Sequence, residues 1–145
     1  MGYVRLLRVN RWNYPELNQK TEDVLRAVVG RHAMRIAADI RKSFKAPKSG
    51  RVYYYQGRRI QASAPGEPPA IRSGRLYANV DPVFSDSGMQ ARINPQGQGV
   101  FYAAWLETGT SRMEARPYIT PAFNRRREAF LTEVRTELAK ALRKG

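Results

Sequence analysis

The sequence predicts an α+β protein: an antiparallel β-sheet packed against two long α-helices. Apolar residues recur at helical spacing from about Thr21 to Phe44, and again from Pro117 or Pro121 to about Leu142. Between these runs, short stretches alternate at period two and are punctuated by Gly, Pro, Asn and Asp. The chain has 145 residues, 42% of them apolar, enough for one domain with one modest core. The expected organisation is an N-terminal arm or edge strand over 1–20, followed by a single α+β domain over 21–145.

In chain order, Tyr3, Val4, Leu6, Leu7 and Val9 suit a short edge strand interspersed with Arg5, Arg8 and Arg11. Trp12 and Tyr14 offer anchors near Pro15, and the imperfect alternation equally fits an arm that orders only against a neighbouring subunit. Thr21 suits a helix cap, with Glu22 and Asp23 placing negative charge in the first turn. Leu25, Val28, Val29, His32, Ala33, Ile36, Ala37, Ile40 and Phe44 then form one stripe. Gly30 lowers helix propensity and suggests close approach of another element. His32, without a partner nucleophile or ligand set, reads as an ordinary boundary residue.

Ala46-Pro47-Lys48-Ser49-Gly50 ends this helix, and Arg51 to Tyr55 begins a strand or extended arm. In the Tyr53, Tyr54, Tyr55 run, alternate rings suit packing on the core while the middle one meets solvent or a partner. A base-stacking role is the competing reading. From Gly57 to Ala70 the turn residues and prolines predict a loop. Leu76, Ala78 and Val80 fit one strand face; Met89, Ala91 and Ile93 fit a second strand after the turn Asp86-Ser87-Gly88. Asp81-Pro82 limits the first of these strands or marks a bulge. Asn94 to Gly99 makes a flexible connection. Val100 to Glu107 is apolar on both faces and fits either a central strand or a short helix. The last helix presents Ile119, Phe123, Phe130, Val134, Leu138 and Leu142 on its apolar face, broadened by Ala122, Leu131 and Ala139. Lys140, Arg143 and Lys144 favour the negative end of its dipole.

Composition narrows the function. There is no cysteine and a single histidine, so disulfide scaffolds and thiolate zinc sites are excluded. No apolar run is long enough for a membrane span, and neither a P-loop, a metal-hydrolase motif nor a serine elbow is present. Ser63, Ser73 and Ser111 lack activating neighbours, and Glu107 and Glu114 have no spacing that implies a catalytic pair. An enzyme is therefore not expected, and no cofactor or metal is called for. The formal charge of +14 favours acidic partners. It is concentrated in 41–75, where nine Lys or Arg accompany one acid, Glu67. That segment suits either an acidic protein surface or DNA, without a helix-turn-helix or finger pattern.

The most specific stretch is Tyr102 to Thr110 followed by Arg112 to Phe123. An aromatic run ends in Glu107, passes a Thr-Gly-Thr turn at Gly109, and enters a helix through Pro117 and Pro121. Glu107 is expected to bond the backbone of the following turn or to pair with Arg116.

These residues carry a resemblance. Ala62 to Ala70 running into Ser73-Gly74-Arg75-Leu76, then Tyr102-Ala103, Leu106-Glu107, Gly109-Thr110, Arg116-Pro117-Tyr118 and Pro121-Ala122-Phe123 resemble, in order, the tail-component family named after gene product 10 of phage HK97. Thr108 stands where such relatives often have an aromatic, and Tyr118 where Phe is frequent. The resemblance implies a structural virion protein that completes the tail or joins it to the head. It would be assembled in the bacterial host cytoplasm and located in the tail or neck. It implies a homo-oligomer, with a hexameric ring as the working arrangement, touching tail-tube and head-connector proteins and no membrane. The positive charge leaves room for transient contact with phage DNA. Tyr53, Tyr54, Tyr55, Arg58, Arg59 and Trp105 are the expected assembly interface; Glu107, Gly109, Arg116 and Pro117 are the expected structural junction. The loop Gly57 to Ile71 with the tyrosine run is expected to be an arm that is mobile until assembly. The alternative is a DNA-binding or packaging accessory protein.

Overall fold

The structure, a computed structural model, describes the backbone of residues 5–8 and residues 19–95 and 100–143. Its elements are β1 (Arg5–Arg8), α1 (Gln19–Lys45), β2 (Val52–Tyr55), β3 (Arg58–Gln61), α2 (Arg75–Ala78), β4 (Val83–Phe84), β5 (Gln90–Ile93), α3 (Ala103–Thr108) and α4 (Ile119–Arg143). The α+β class is as expected. The strands, however, form two small antiparallel sheets: β1-β5-β4 and the separate hairpin β2-β3. The expected anchors Trp12 and Tyr14 and most of the connection at 96–99 lie outside the described residues, as do Tyr3, Val4, Val9 and Lys144.

α1 is the centre of the molecule. Its nine-residue stripe from Leu25 to Phe44 is buried throughout, together with Thr21. α1 packs on β5, whose Ala91 and Ile93 point into the core, and along α4 through Ile119, Ala122 and Phe130. Cross-links from Asp39 to Arg126 and from Arg31 and His32 to Glu133 advance in opposite directions along the two helices, so α1 and α4 are antiparallel. This register sets Leu142 beside the polar first turn of α1, and Leu142 is exposed although the period placed it on the apolar face. Ala139 is exposed as well.

Several expectations are corrected. Thr21 is not the helix cap, because Gln19 and Lys20 are already helical. His32 is no boundary residue: it is fully enclosed between α1 and α4, its Nε2 2.6 Å from Glu133 Oε2 and its ring edge-on to Phe130. Gly30 marks no close approach, since a Cβ there would meet nothing within 4 Å. Gly30→Ala should therefore stabilise the protein by about 0.5–1 kcal/mol, the ordinary penalty of glycine within a helix, seen as a raised denaturant midpoint with unchanged slope.

The strand expected at Leu76, Ala78 and Val80 is instead the single turn α2. Gly74 enters it at φ 80°, and Asn79 closes it, its side-chain amide donating to the Arg75 carbonyl. Leu76 and Val80 are both buried while Ala78 is exposed. A spacing of four satisfies a helical face as well as a strand face, and the residue between them decides which is real. The strand comes later, at β4 after Asp81-Pro82, and the predicted turn at 86–88 does join it to β5.

β3 is a further correction, because it occupies part of the expected loop. Tyr55 pairs with Arg58 and Val52 with Gln61, and the connecting Gln56 and Gly57 have φ of 48° and 75°. Two successive positive φ values make the tight hairpin turn whose twist matches that of its strands.

Candidate functional site

The site is a junction in which distant segments are tied by their backbones. Val100 to Glu107, open between strand and helix in the sequence, turns at 101–102 and enters the short helix α3 at Ala103. Gly109 ends it, at φ 75° and ψ 177°, its N–H donating to the Trp105 carbonyl at 2.7 Å. Thr110 and Met113 close a tight turn, and the chain runs through Pro117 into α4 at Ile119.

Glu107 is buried and reaches neither the following turn nor the Arg116 guanidinium. Its Oε2 accepts the N–H groups of Tyr118 at 2.8 Å and Ile119 at 2.9 Å, and Oε1 accepts that of Thr120 at 2.8 Å. The carboxylate thereby caps the first turn of α4, where three backbone donors lack helical partners and the helix dipole favours negative charge. Tyr118 is locked beside it, its hydroxyl donating to the Ala103 carbonyl and its ring against Phe44. Burial, then the charge of Glu107, push that hydroxyl's pKa well above the ordinary phenol range.

Arg116 serves another segment. Its Nε donates to the Ser63 carbonyl at 3.2 Å, its Nη1 donates to the Glu114 carbonyl, and its backbone N–H donates to Leu106. The Gly66 N–H donates to Ala115 at 2.9 Å. Glu67 then fastens the loop from within: it accepts the Ala64 and Ser49 N–H groups and the Ser49 hydroxyl. Within the loop expected over 57–71, residues 62–67 are bonded to the junction, and the hairpin turn at 56–59 is exposed. Sequence reasoning missed Glu67, although a lone acid in a basic, proline-rich stretch is a signal for such a clasp.

The expected interface residues are distributed over two surfaces. On the hairpin, Tyr53 and Tyr55 are half-buried and Tyr54 is exposed, the alternation expected of a strand over a body. Tyr53 lines an open groove of about 490 Å³ shared with Phe44, Tyr102, Leu106, Met113 and Arg116. Arg58 and Arg59 are exposed on β3. Trp105 belongs to α3, where it is 50% exposed and stands edge-on to Phe101, itself 74% exposed. Phe101 was not singled out by sequence reasoning; its position four residues before Trp105 in an apolar run was the available signal.

Among the described residues three carboxylates titrate low, and all three hold segments together. Glu67 falls to about 2, chiefly through the Ser49 hydroxyl. Asp39 is lowered by its bonds to Arg126 and Glu133 by those to Arg31 and His32. Groups whose folded pKa lies below the unfolded value stabilise fully above that unfolded value and lose the contribution as pH falls through the folded one. The denaturant midpoint should thus be flat above about pH 5 and decline between about pH 4.5 and 2. A midpoint unchanged across that interval would contradict these pairings.

Among the described residues no group of three or more His, Asp or Glu is placed to hold a metal ion, and no helix is long and apolar enough to cross a membrane. Comparison with family models, characterised proteins and solved structures gives no match. The geometry accordingly defines an α+β chain whose distinctive feature is a buried, carboxylate-capped junction beside an exposed aromatic pair.

Proposed function

We propose that this chain is a structural phage virion protein that completes the tail or joins it to the head through ring-like contacts between copies. It performs no chemistry there. The observation that carries this reading is convergence. The separate sequence blocks of the tail-component resemblance meet in one place, with Gly66 bonded to Ala115, Arg116 to the Ser63 carbonyl and Glu107 to the start of α4. Beside that junction, Phe101 and Trp105 present ring area to solvent, the type of residue enriched at protein interfaces. A ring requires one patch on each subunit to fit a different patch on the next. An aromatic pair on one side and a groove holding Tyr53 and Tyr102 supply two candidates of different shape. The working stoichiometry is a hexamer, with tail-tube and head-connector proteins as further partners.

Particles made without the protein test the reading. Filled heads with unjoined tails, or tails with defective ends, are expected, and added purified protein should restore joining. Trp105→Asp should leave the subunit's melting temperature unchanged and fail to restore joining. Intact necks in the protein's absence would reject the assignment, and normal tails beside empty heads would favour a packaging accessory.

A further inference from the structure

We propose that the β2-β3 hairpin is a nucleic-acid-binding ribbon that meets the phosphate backbone of duplex DNA without sequence selectivity. The proposal does not depend on the assembly role above, and it gives Arg58 and Arg59 a different partner from Trp105.

The hairpin is an arginine surface without counter-charge. Arg59 lies across from Tyr54 and Arg58 across from Tyr55, so the two guanidiniums leave opposite faces of a two-stranded ribbon. Both residues are exposed, and neither has a hydrogen bond or ion pair among the described residues. Arg72 adds a third guanidinium, stacked 4.7 Å from the centre of the Tyr55 ring. The lone acid of the whole 41–75 stretch, Glu67, is occupied by Ser49 and Ala64. By contrast, several cations on the helices have acidic partners: Arg26 with Asp23, Arg31 and Arg35 with Glu133, Arg41 with Asp81, Arg126 with Asp39 and Lys140 with Glu137.

Shape agrees with charge. Four-residue strands extend roughly 13 Å, and the major groove, about 12 Å wide and 8.5 Å deep, admits a two-stranded ribbon. Arg59 on the outer face and Arg58 beside the exposed turn of the hairpin can each reach phosphates of the groove walls. The base of the hairpin is closed by the Gly50 N–H donating to the Ala62 carbonyl, the Ala62 N–H donating to the Arg51 carbonyl, and Gln61 Nε2 donating to the Gly50 carbonyl. Its outer face offers only Val52 and Tyr54 as apolar area, little for the apolar centre of a protein interface. The aromatic pair on α3 is the opposite case, which is why the hairpin is assigned to a polyanion and α3 to protein.

Fluorescence anisotropy of the full-length protein with two unrelated duplexes of about three turns, titrated from roughly 50 to 200 mM salt, tests this. The wild type should bind both duplexes alike, with affinity falling steeply with salt. Each lost phosphate contact lowers the logarithmic salt slope by about 0.9. Arg58→Ala with Arg59→Ala should therefore reduce the slope by about two and weaken binding at low salt at least tenfold. The corresponding Lys pair should keep the slope. Removing the same charge from α4, as Arg127→Ala with Arg135→Ala, should change neither quantity comparably. An equal loss in the α4 variant would assign binding to net charge and overturn the hairpin. Absence of duplex binding by the wild type would overturn the proposal outright, and binding of an acidic peptide in its place would assign the arginines to a protein surface.

Discussion

Replacing Glu107 by Ala should cost about 3–5 kcal/mol and lower the melting temperature by roughly 10–15 °C. The carboxylate accepts three backbone N–H groups at the start of α4, and those of Tyr118 and Ile119 are buried. A buried donor left without an acceptor costs about 1–3 kcal/mol. The favourable meeting of a carboxylate with a helix N-terminus adds roughly 0.3–2 kcal/mol. Against a total stability of about 5–15 kcal/mol, the loss is severe. Glu107→Gln should be milder, at about 1–2 kcal/mol, because one amide oxygen can still serve Tyr118 and Ile119 while its NH2 opposes only Thr120, which is nearer water. Urea titration of both variants checks the order. Equal stability of wild type and Ala variant would remove Glu107 from its capping role.

The functional consequence follows from the same bonds. Glu107 belongs to α3 and its partners are Tyr118, just before α4, and the first two residues of α4, so the carboxylate sets the angle at which α3, with Trp105, is held relative to the helical body. If the proposed assembly role holds, subunits carrying Glu107→Gln should remain folded and join tails less efficiently than wild type.

Much of this architecture is legible in the sequence where a single period governs burial. Each residue of the α1 stripe is buried because one helix face is covered along its whole length. Legibility fails where two periods coincide or where the partner is distant. Leu76 and Val80 satisfy both a strand and a helix. β3 has Ile60 as its one apolar residue among Arg58, Arg59 and Gln61, so no alternation is visible, and Gln-Gly is a weaker turn signal than Asn-Gly. An acid before a glycine turn signals a bonded carboxylate, but nothing local shows that Glu107 bypasses that turn for donors eleven to thirteen residues onward. His32 shows the same limit: its position on the stripe predicts burial, whereas its partner Glu133 lies on the other long helix, 101 residues away.

Gly109→Ala should be nearly as damaging, by more than about 3 kcal/mol, and comparison with Gly57→Ala separates its causes. Both glycines have φ of 75°, which an L side chain adopts at a cost of about 1–3 kcal/mol. At Gly57 a Cβ would meet nothing within 4 Å, so Gly57→Ala should lose about 1 kcal/mol. At Gly109 the backbone also holds ψ at 177°, a region that is essentially glycine's alone. A Cβ there would lie 2.9 Å from both the Ala115 nitrogen and the Met113 oxygen. Neither atom can move aside cheaply. The Met113 carbonyl accepts the Thr110 N–H, and Ala115 is fixed through its own carbonyl by the Gly66 N–H. Accommodating one methyl group therefore means opening the turn, and with it the bond that ties the proline-rich loop to α3 and α4. Hydrogen exchange should report this as faster exchange at Gly66 and Thr110 in Gly109→Ala, with the α1 core protected to the extent that global stability allows. Losses of the same size at positions 57 and 109 would show that dihedral strain alone acts, and that the close packing around Gly109 contributes nothing to the junction.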